Sequence, residues 1–178
     1  MKKNQKTNLT EQAIISKYLK KLNFNKSGTF NFENDAAYIK FKKNKKIVVT
    51  TDAISENTDF FYGDNPKSIA NKIITINLSD LSAMGVSPFA YSLNLFLPKY
   101  INKNWIKIFT NELFKLQKTY NFYLLGGDLF ASNTLSIVAT FFGYSKKNKI
   151  ISQNSININN DIWITDNIGD SFVGLQIL

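Results

Sequence analysis

The sequence predicts an α+β (mixed α/β) fold, in which a mixed sheet is flanked by helices, and three observations support this prediction. Apolar residues recur at helical spacing in some segments and cluster at strand length in others, and the two kinds alternate along most of the chain. Two strand-like segments near the N-terminus follow each other across a lysine-rich turn, which predicts an early hairpin. Of the 178 residues, 44% are hydrophobic, which is enough for one domain with its own core.

Four helices are predicted from apolar periodicity and from residues that favour helix ends. The first spans residues 10–22, and the second spans residues 66–85, with a proline in its first turn and a glycine at its end. The second is apolar almost all round, so we expect it to be buried. A third, amphipathic helix spans residues 103–120, and a fourth begins at Gly169.

Strands are predicted where β-branched and aromatic residues cluster between turn signals. They span residues 36–41, 46–54, 87–97, 122–125, 135–144 and 161–165. We expect residues 1–9 to be disordered and residues 10–145 to form an N-terminal domain. Residues 146–178 would then supply a loop and the beginning of a second domain. Because the chain ends inside an apolar helical pattern, we interpret it as the N-terminal part of a longer protein.

The chain contains no cysteine, histidine or arginine, and this composition excludes several kinds of site. Disulfides, thiolate zinc sites, cysteine nucleophiles, serine–histidine triads and histidine acid–base catalysis are all ruled out. Any catalysis by this chain must therefore use carboxylates, hydroxyls, lysine, backbone amides or a hard metal ion.

Lysine provides all 22 basic side chains, and the net charge is +9. We interpret the excess as a solvated surface; nucleic-acid binding, which basic patches favour, is the alternative. Because the lysines are scattered and accompany no nucleic-acid-binding motif, we predict no nucleic-acid partner. No apolar run is long enough to span a membrane, and the N-terminus lacks the apolar stretch of a signal peptide. We therefore expect a cytoplasmic protein with no membrane partner.

Four aspartates lie in or next to segments that are predicted to be buried, where a charged side chain is unfavourable. Asp35 starts the first predicted strand, and Asp52 ends the second. Asp80 lies inside the apolar helix, and Asp128 follows a strand and two glycines. An unpaired buried carboxylate is costly, and only lysines are available as ion-pair partners. Magnesium fits better, because it prefers oxygen ligands and shares them with substrate phosphates.

Residues next to these aspartates extend the prediction of a metal site. Thr50 and Thr51 directly precede Asp52 and offer hydroxyl or carbonyl oxygens. The glycines before Asp128 permit close approach of the backbone to a phosphate. We expect the carboxylates of Asp52, Asp80 and Asp128 to converge at one concave edge of the sheet.

Each aspartate also has a purely structural interpretation. Asp35 would be an ordinary turn or strand-start residue, Asp52 would end a strand, and Asp128 would belong to a common glycine-containing turn. Asp80 is the hardest to explain in this way unless it is exposed. The glycine patterns of phosphate-binding loops and dinucleotide-binding folds are both absent from the sequence.

Taken in order, four segments resemble thiamine-monophosphate kinases, in the superfamily of aminoimidazole ribonucleotide synthetase and selenophosphate synthetase. Residues 77–85 (NLSDLSAMG) resemble the family's NLSDLAAMG helix end, and residues 50–52 (TTD) resemble its STD strand end. Residues 125–128 (LGGD) resemble its IGGD turn, and residues 161–175 resemble its D-x-I-x-V-T-G…GDSxxGL segment. In order and spacing, the resemblance spans residues 10–178.

The resemblance implies the N-terminal domain of the aminoimidazole ribonucleotide synthetase-like fold, in a kinase that uses ATP and magnesium to convert thiamine monophosphate into thiamine diphosphate. It implies magnesium ligands at Asp35, Thr50, Thr51, Asp52, Asp80 and Asp128. It also implies nucleotide-phosphate contacts at Gly127 and Asp128, a substrate contact at Asp59, where the family has a histidine, and a homodimer formed through the sheet. No catalytic residue is assigned, since phosphoryl transfer depends mainly on charge neutralisation and in-line positioning.

The chain departs from the family pattern at several positions. The family's GIGDD becomes NFEND at residues 31–35, the threonines after IGGD become Leu129 and Phe130, and a phosphate-neutralising arginine becomes Asn154. Metal-binding positions are mostly kept, whereas substrate and phosphate contacts change. Two alternatives therefore stay open. One is a related kinase or synthetase with another phosphorylated substrate, and the other is a non-catalytic dimerisation or nucleotide-binding module.

Overall fold

The computed structural model describes residues 10–40, 42–145, 150–152, 157–164 and 166–177. Within them, four strands form one mixed sheet in the order β1-β4-β2-β3. The strands are β1 (Ile47–Ser55), β2 (Val86–Leu97), β3 (Tyr123–Ala131) and β4 (Ser136–Ser145). β4 is antiparallel to both β1 and β2, whereas β2 and β3 are parallel. The predicted mixed α/β fold is confirmed.

Two long helices connect the strands. They are α2 (Pro66–Ala83), between β1 and β2, and α3 (Lys103–Tyr120), which provides the crossover that a parallel pair such as β2 and β3 requires. Asparagine side chains accept hydrogen bonds from the first turn of each helix: Asn65 from the Lys67 amide at 3.0 Å, and Asn102 from the Trp105 amide at 3.0 Å. α2 ends at Ala83, two residues before the predicted end, and Gly85 just beyond it has a φ of +66°, which favours glycine after a helix.

The core lies on one face of the sheet. Along β4, Ile137, Ala139 and Phe141 are buried, whereas the alternating Val138 and Thr140 are half-exposed. α2 lies across β1, β4 and β2 on the buried face, and α3 packs against α2. The two long helices thus cover one face, and neither of them covers the opposite face, here called the open face.

The first predicted helix is divided into three short turns. Glu11–Ile14 (α1) is α-helical, Ile15–Leu19 is a π-turn, and Lys20–Asn23 is a 3₁₀ turn. Ile14 and Leu19 are both buried and stand five residues apart, which is the spacing of a π-turn. Packing therefore overrides the uniform helix that the periodicity predicts. A 3₁₀ segment, Ser27–Phe32, follows, and a last helix, α4 (Asp170–Ile177), lies where the fourth was predicted.

Two predicted strands are wrong for the residues that the structure describes. Residues 36–40 form no strand, because their backbone groups bond elsewhere: the Tyr38 amide donates to the Gly28 carbonyl, and the Lys40 carbonyl accepts from the Tyr144 hydroxyl at 2.5 Å. Residues 161–164 form no strand either, and their apolar side chains are exposed without a neighbouring strand. Phe41, Thr165 and the predicted disorder of residues 1–9 lie outside the described residues.

The strand predicted at 122–125 is longer in the structure and ends at Ala131, because it pairs with β2 along that whole length. None of the described helices is both long enough and apolar enough to cross a membrane.

Candidate functional site

Two carboxylates meet where the last turns of α2 lie against β1. The Thr50 hydroxyl donates a hydrogen bond of 2.7 Å to Oδ2 of Asp80, and this bond joins the strand to the helix. Asp52 lies two residues further along β1, on the same face of the strand. Burial raises the pKa of Asp52 above its usual value, and the negative charge of Asp80 raises it further. The two carboxylates therefore create a negative potential beside an edge strand.

The polar residue that α2 buries is Asn77 rather than Asp80. Asp80 lies in α2 as predicted, but its side chain is exposed, so the expectation of a buried carboxylate there is wrong. Asn77 is fully buried and donates from Nδ2 to the Ile73 carbonyl at 3.0 Å, while its Oδ1 has no partner within the described structure. The periodicity of α2 could not show which of these two positions is buried, because residues three apart lie on the same side of a helix.

The oxygen atoms of Thr50, Asp52 and Asp80 suit magnesium. Magnesium is usually held through one or two carboxylates, and its other ligands are waters and substrate phosphates. Within the described ranges, no group of three or more acidic side chains is gathered closely enough to hold a metal by itself. The carboxylate pair on β1 and α2 therefore fits a magnesium site in which the phosphates of a bound nucleotide would supply further ligands.

Asp128 does not join this pair, so the predicted convergence of three carboxylates is wrong within one chain. The pairing register places Asp52, Ala139, Leu93 and Gly127 in one row across the sheet, with their side-chain positions on the helix-covered face. Asp128 is the next residue after Gly127, so it belongs to the open face. It also lies on β3, at the opposite edge from β1.

Asp128 instead shares a cavity with Asp35. The cavity has a volume of about 580 Å³ and lies between β3 and the N-terminal turns; Gly126 and Gly127 also line it. Both carboxylates are exposed, and Oδ1 of Asp128 accepts a bond of 2.8 Å from the Leu129 amide. The remaining predicted threonine ligand, Thr51, lies on the open face. There its hydroxyl bonds to the Thr140 hydroxyl at 3.0 Å.

Gly127 has a structural reason to be glycine. A Cβ atom built on it would lie 1.8 Å from the carbonyl oxygen of Leu93, on the neighbouring strand. A Cβ atom built on Gly126 would meet no atom within 4 Å. The two glycines are therefore different: Gly127 permits the close approach of β2 and β3, and Gly126 leaves open space beside the cavity.

Asp59 stabilises the turn that follows β1. Its Oδ2 accepts a hydrogen bond of 2.8 Å from the Ser55 amide, and its carbonyl accepts a bond from the Lys72 ammonium group. The structure thus gives its side chain a local role, and the substrate contact that the resemblance implies stays a prediction.

The sequence interpretation missed a pocket just beyond this turn. Aromatic residues of the segment 60–62 and of the loop before α3 surround it, and Glu56 and Asp64 also line it. Three consecutive aromatic residues between a strand and the proline that begins a helix were the available signal.

Comparisons with known proteins agree with the motif resemblance. Residues 33–145 match the family described as AIR synthase related protein, N-terminal domain. The thiamine-monophosphate kinase of Haemophilus influenzae is 40% identical over 146 residues, which are 82% of this chain and 44% of that protein.

Solved structures share the fold. The thiamine-monophosphate kinase of Stenotrophomonas maltophilia K279a is 30% identical, with a TM-score of 0.75 over 82% of this chain and 45% of that one. The structure of AaThiL complexed with AMPPCP and TMP, at 22% identity, has a TM-score of 0.71 over 95% of this chain and 52% of that one. This chain spans about half the length of the curated relatives that it matches.

Proposed function

Because this chain belongs to the AIR synthase-related family, whose N-terminal domain its residues 33–145 match, we propose that it is the magnesium- and nucleotide-binding part of an ATP-dependent thiamine-monophosphate kinase. The proposed reaction moves the γ-phosphoryl group of ATP to the phosphate of thiamine monophosphate, giving ADP and thiamine diphosphate. The names of the relatives and the ligands of AaThiL support this choice of substrates.

The carboxylate pair of Asp52 and Asp80 carries the proposal. A bound magnesium ion would supply the positive charge that phosphoryl transfer needs. The chain's contribution is to hold two carboxylates on separate elements, and the Thr50 hydroxyl fixes the orientation of Asp80. The pKa of Asp52 is raised mainly by burial and further by the charge of Asp80, and a cation at this position would stabilise the ionised carboxylate against both effects.

The cavity beside β3 is the proposed second phosphate-handling region. Asp35 and Asp128 offer carboxylates there, and the open space beside Gly126 leaves backbone accessible to an anion. We keep these residues as proposed metal or phosphate contacts that are separate from the β1–α2 pair.

The test is magnesium-dependent conversion of thiamine monophosphate to thiamine diphosphate by the purified full-length protein, followed by product chromatography. We expect diphosphate formation that requires both ATP and magnesium. Turnover only with another phosphorylated acceptor would favour the related-kinase alternative. Binding of magnesium–ATP without any turnover would favour the non-catalytic module.

We also propose that two copies of the chain associate through the open face. Val49 on β1 and Phe130 on β3 are 54% and 59% exposed there, on a face that neither α2 nor α3 covers. Large apolar side chains on an uncovered sheet face favour association. Pairing of two copies would bury the open face, including Val49 and Phe130 on its two edge strands.

Replacing Val49 and Phe130 together with lysine should convert a dimer into a monomer, because four charges would have to be buried in the paired faces. Light scattering coupled to size-exclusion chromatography measures the mass. The control replaces Ile162 and Ile168 with lysine, since both are exposed outside the sheet. A monomeric parent protein, or a dimer that survives the paired substitution, would refute this interface.

A further inference from the structure

The outer side of α3 carries a row of lysines. Lys103, Lys107, Lys115 and Lys118 are all exposed, and residues at these spacings lie on one side of a helix, here over a length of roughly 22 Å. The only acidic residue of α3 is Glu112, which is buried, and its carboxylate lies 3.6 Å from the Lys115 ammonium group. The row of four lysines therefore keeps a net positive charge.

A fifth lysine joins the row from another part of the chain. Lys21, in the 3₁₀ turn Lys20–Asn23, donates a hydrogen bond of 2.6 Å to Oδ1 of Asn111, which lies between the lysines on the outer side of α3. Burial lowers the pKa of Lys21, and the positive charge of Lys107 lowers it further. A bound anion would relieve the repulsion between these two ammonium groups. We call Lys21 and the four lysines of α3 the α3 lysine surface.

Two phenylalanine rings lie among these lysines. Phe24 and Phe114 meet edge to face, with ring centroids 5.5 Å apart, and both side chains are half-exposed. The ammonium groups of Lys118 and Lys21 lie 4.4 and 5.8 Å from the centroid of the Phe114 ring. Lysine side chains are flexible, so they can turn toward phosphates while a base stacks on the ring. Cationic and aromatic side chains in this mixture are typical of surfaces that bind single-stranded nucleic acid.

The α3 lysine surface suits RNA better than a membrane. The apolar side of α3, with Ile106, Phe109 and Leu113, is fully buried in the core, so the helix cannot insert that side into a bilayer. An acidic protein segment would pair with the lysines but would make no use of the rings. Asn111 adds a side-chain amide donor, Nδ2, and the 2′-hydroxyl that could accept from it is present in RNA and absent from DNA.

We propose that the α3 lysine surface binds single-stranded RNA. Lys21, Lys107 and Lys118 contact neighbouring phosphates, the ring of Phe114 stacks on a base, and Asn111 donates to a ribose hydroxyl. Because these contacts involve phosphates, sugars and ring faces rather than base edges, we expect little sequence preference. The expectation of no nucleic-acid partner rested on the scattered positions of the lysines in the sequence, and the fold removes that ground by gathering them.

The test is fluorescence anisotropy of a labelled oligouridylate of about 12 nucleotides with the purified full-length protein, at salt concentrations from about 50 to 200 mM. For a single strand, each neutralised phosphate contributes about −0.7 to the slope of log affinity against log salt concentration. The double variant Lys107→Gln/Lys118→Gln should therefore bind about tenfold more weakly or worse, with a slope that is less steep by about 1.4.

Two matched controls separate the α3 lysine surface from general charge and apolarity. Lys43→Gln/Lys45→Gln removes the same charge from exposed positions in the turn before β1, and its affinity for the oligouridylate should stay within about twofold of the parent value. Phe114→Leu should weaken binding by about tenfold without changing the salt slope, because it removes a stacking ring and no charge. Phe172→Leu, on α4, should leave binding unchanged.

Absent oligouridylate binding, unchanged affinity in Lys107→Gln/Lys118→Gln, or an equal loss in Lys43→Gln/Lys45→Gln would overturn the proposal. Equal affinity for oligodeoxyuridylate, for polyglutamate or for vesicles of anionic lipid would also overturn it, since the surface would then recognise negative charge alone. The described residues that line the two cavities include none of these lysines, so kinase turnover in both lysine variants should match that of the parent protein. RNA binding and kinase activity can therefore fail independently.

Discussion

Replacing Gly127 with alanine should destabilise the domain by about 3 kcal/mol or more, which for a chain of this size lowers the Tm by roughly 10 °C. The added Cβ atom would lie 1.8 Å from the carbonyl oxygen of Leu93, so β2 and β3 must separate or shift in register. Because this strand pair is parallel and forms one edge of the sheet, its loss also exposes core residues such as Leu95. Thermal unfolding followed by circular dichroism measures the effect.

Gly126→Ala is the matched control, because it adds the same methyl group one residue away with no atom within 4 Å. We expect its Tm to stay close to that of the parent protein. If both variants unfold at the same temperature, the close approach at Gly127 is not present in solution. If Gly126→Ala keeps its stability but loses nucleotide binding, the open space beside the cavity has the phosphate-binding role that we propose.

Replacing Asp52 with asparagine should lower kinase turnover by about 100-fold or more, comparable to the loss of one preorganised electrostatic group. The same variant should be at least as stable as the parent protein when magnesium is absent. This combination is expected because the carboxylate stands in a partly buried position beside Asp80, where its charge is unfavourable without a cation. Steady-state kinetics and thermal unfolding separate the two effects.

The pH dependence of stability gives an independent check of Asp52. Its pKa is raised in the folded protein above the ordinary value of 3.8, mainly by burial and then by Asp80. The protonated form therefore favours folding, and this contribution is present below pH 3.8 and lost as the pH rises through the folded-state pKa. Asp52→Asn removes this dependence, so the variant should gain in Tm over the parent as the pH rises through that window.

Magnesium should reverse the order of stability. We expect magnesium to bind the folded parent protein and to raise its Tm by an amount that grows with the ratio of metal concentration to Kd. It should not raise the Tm of Asp52→Asn comparably. Asp161→Asn provides the control, because it removes one exposed negative charge outside the site. Equal magnesium stabilisation in all three proteins would show that Asp52 is not a ligand.

The sequence by itself determined the fold class, the long helices and the family. These follow from local signals: apolar periodicity over 66–85 and 103–120, a proline and a glycine at the ends of the first of these, and short motifs in the right order. The predicted strand at 36–41 failed because strand formation depends on an available partner. Its described residues bond to a 3₁₀ turn and a tyrosine side chain instead.

Only the tertiary structure decided which aspartates lie together. Asp52 and Asp80 meet because α2 packs back across β1, whereas Asp128 lies at the other edge and belongs to the other face. A one-residue step in a strand reverses the face, and the strand order sets the distance between edges. Neither the face nor the distance between edges is set locally, so sequence motifs cannot show where the residues in them lie relative to one another. The pocket beyond the Asp59 turn could not be predicted for the same reason, because its walls come from segments that are distant in sequence and meet only when the chain folds.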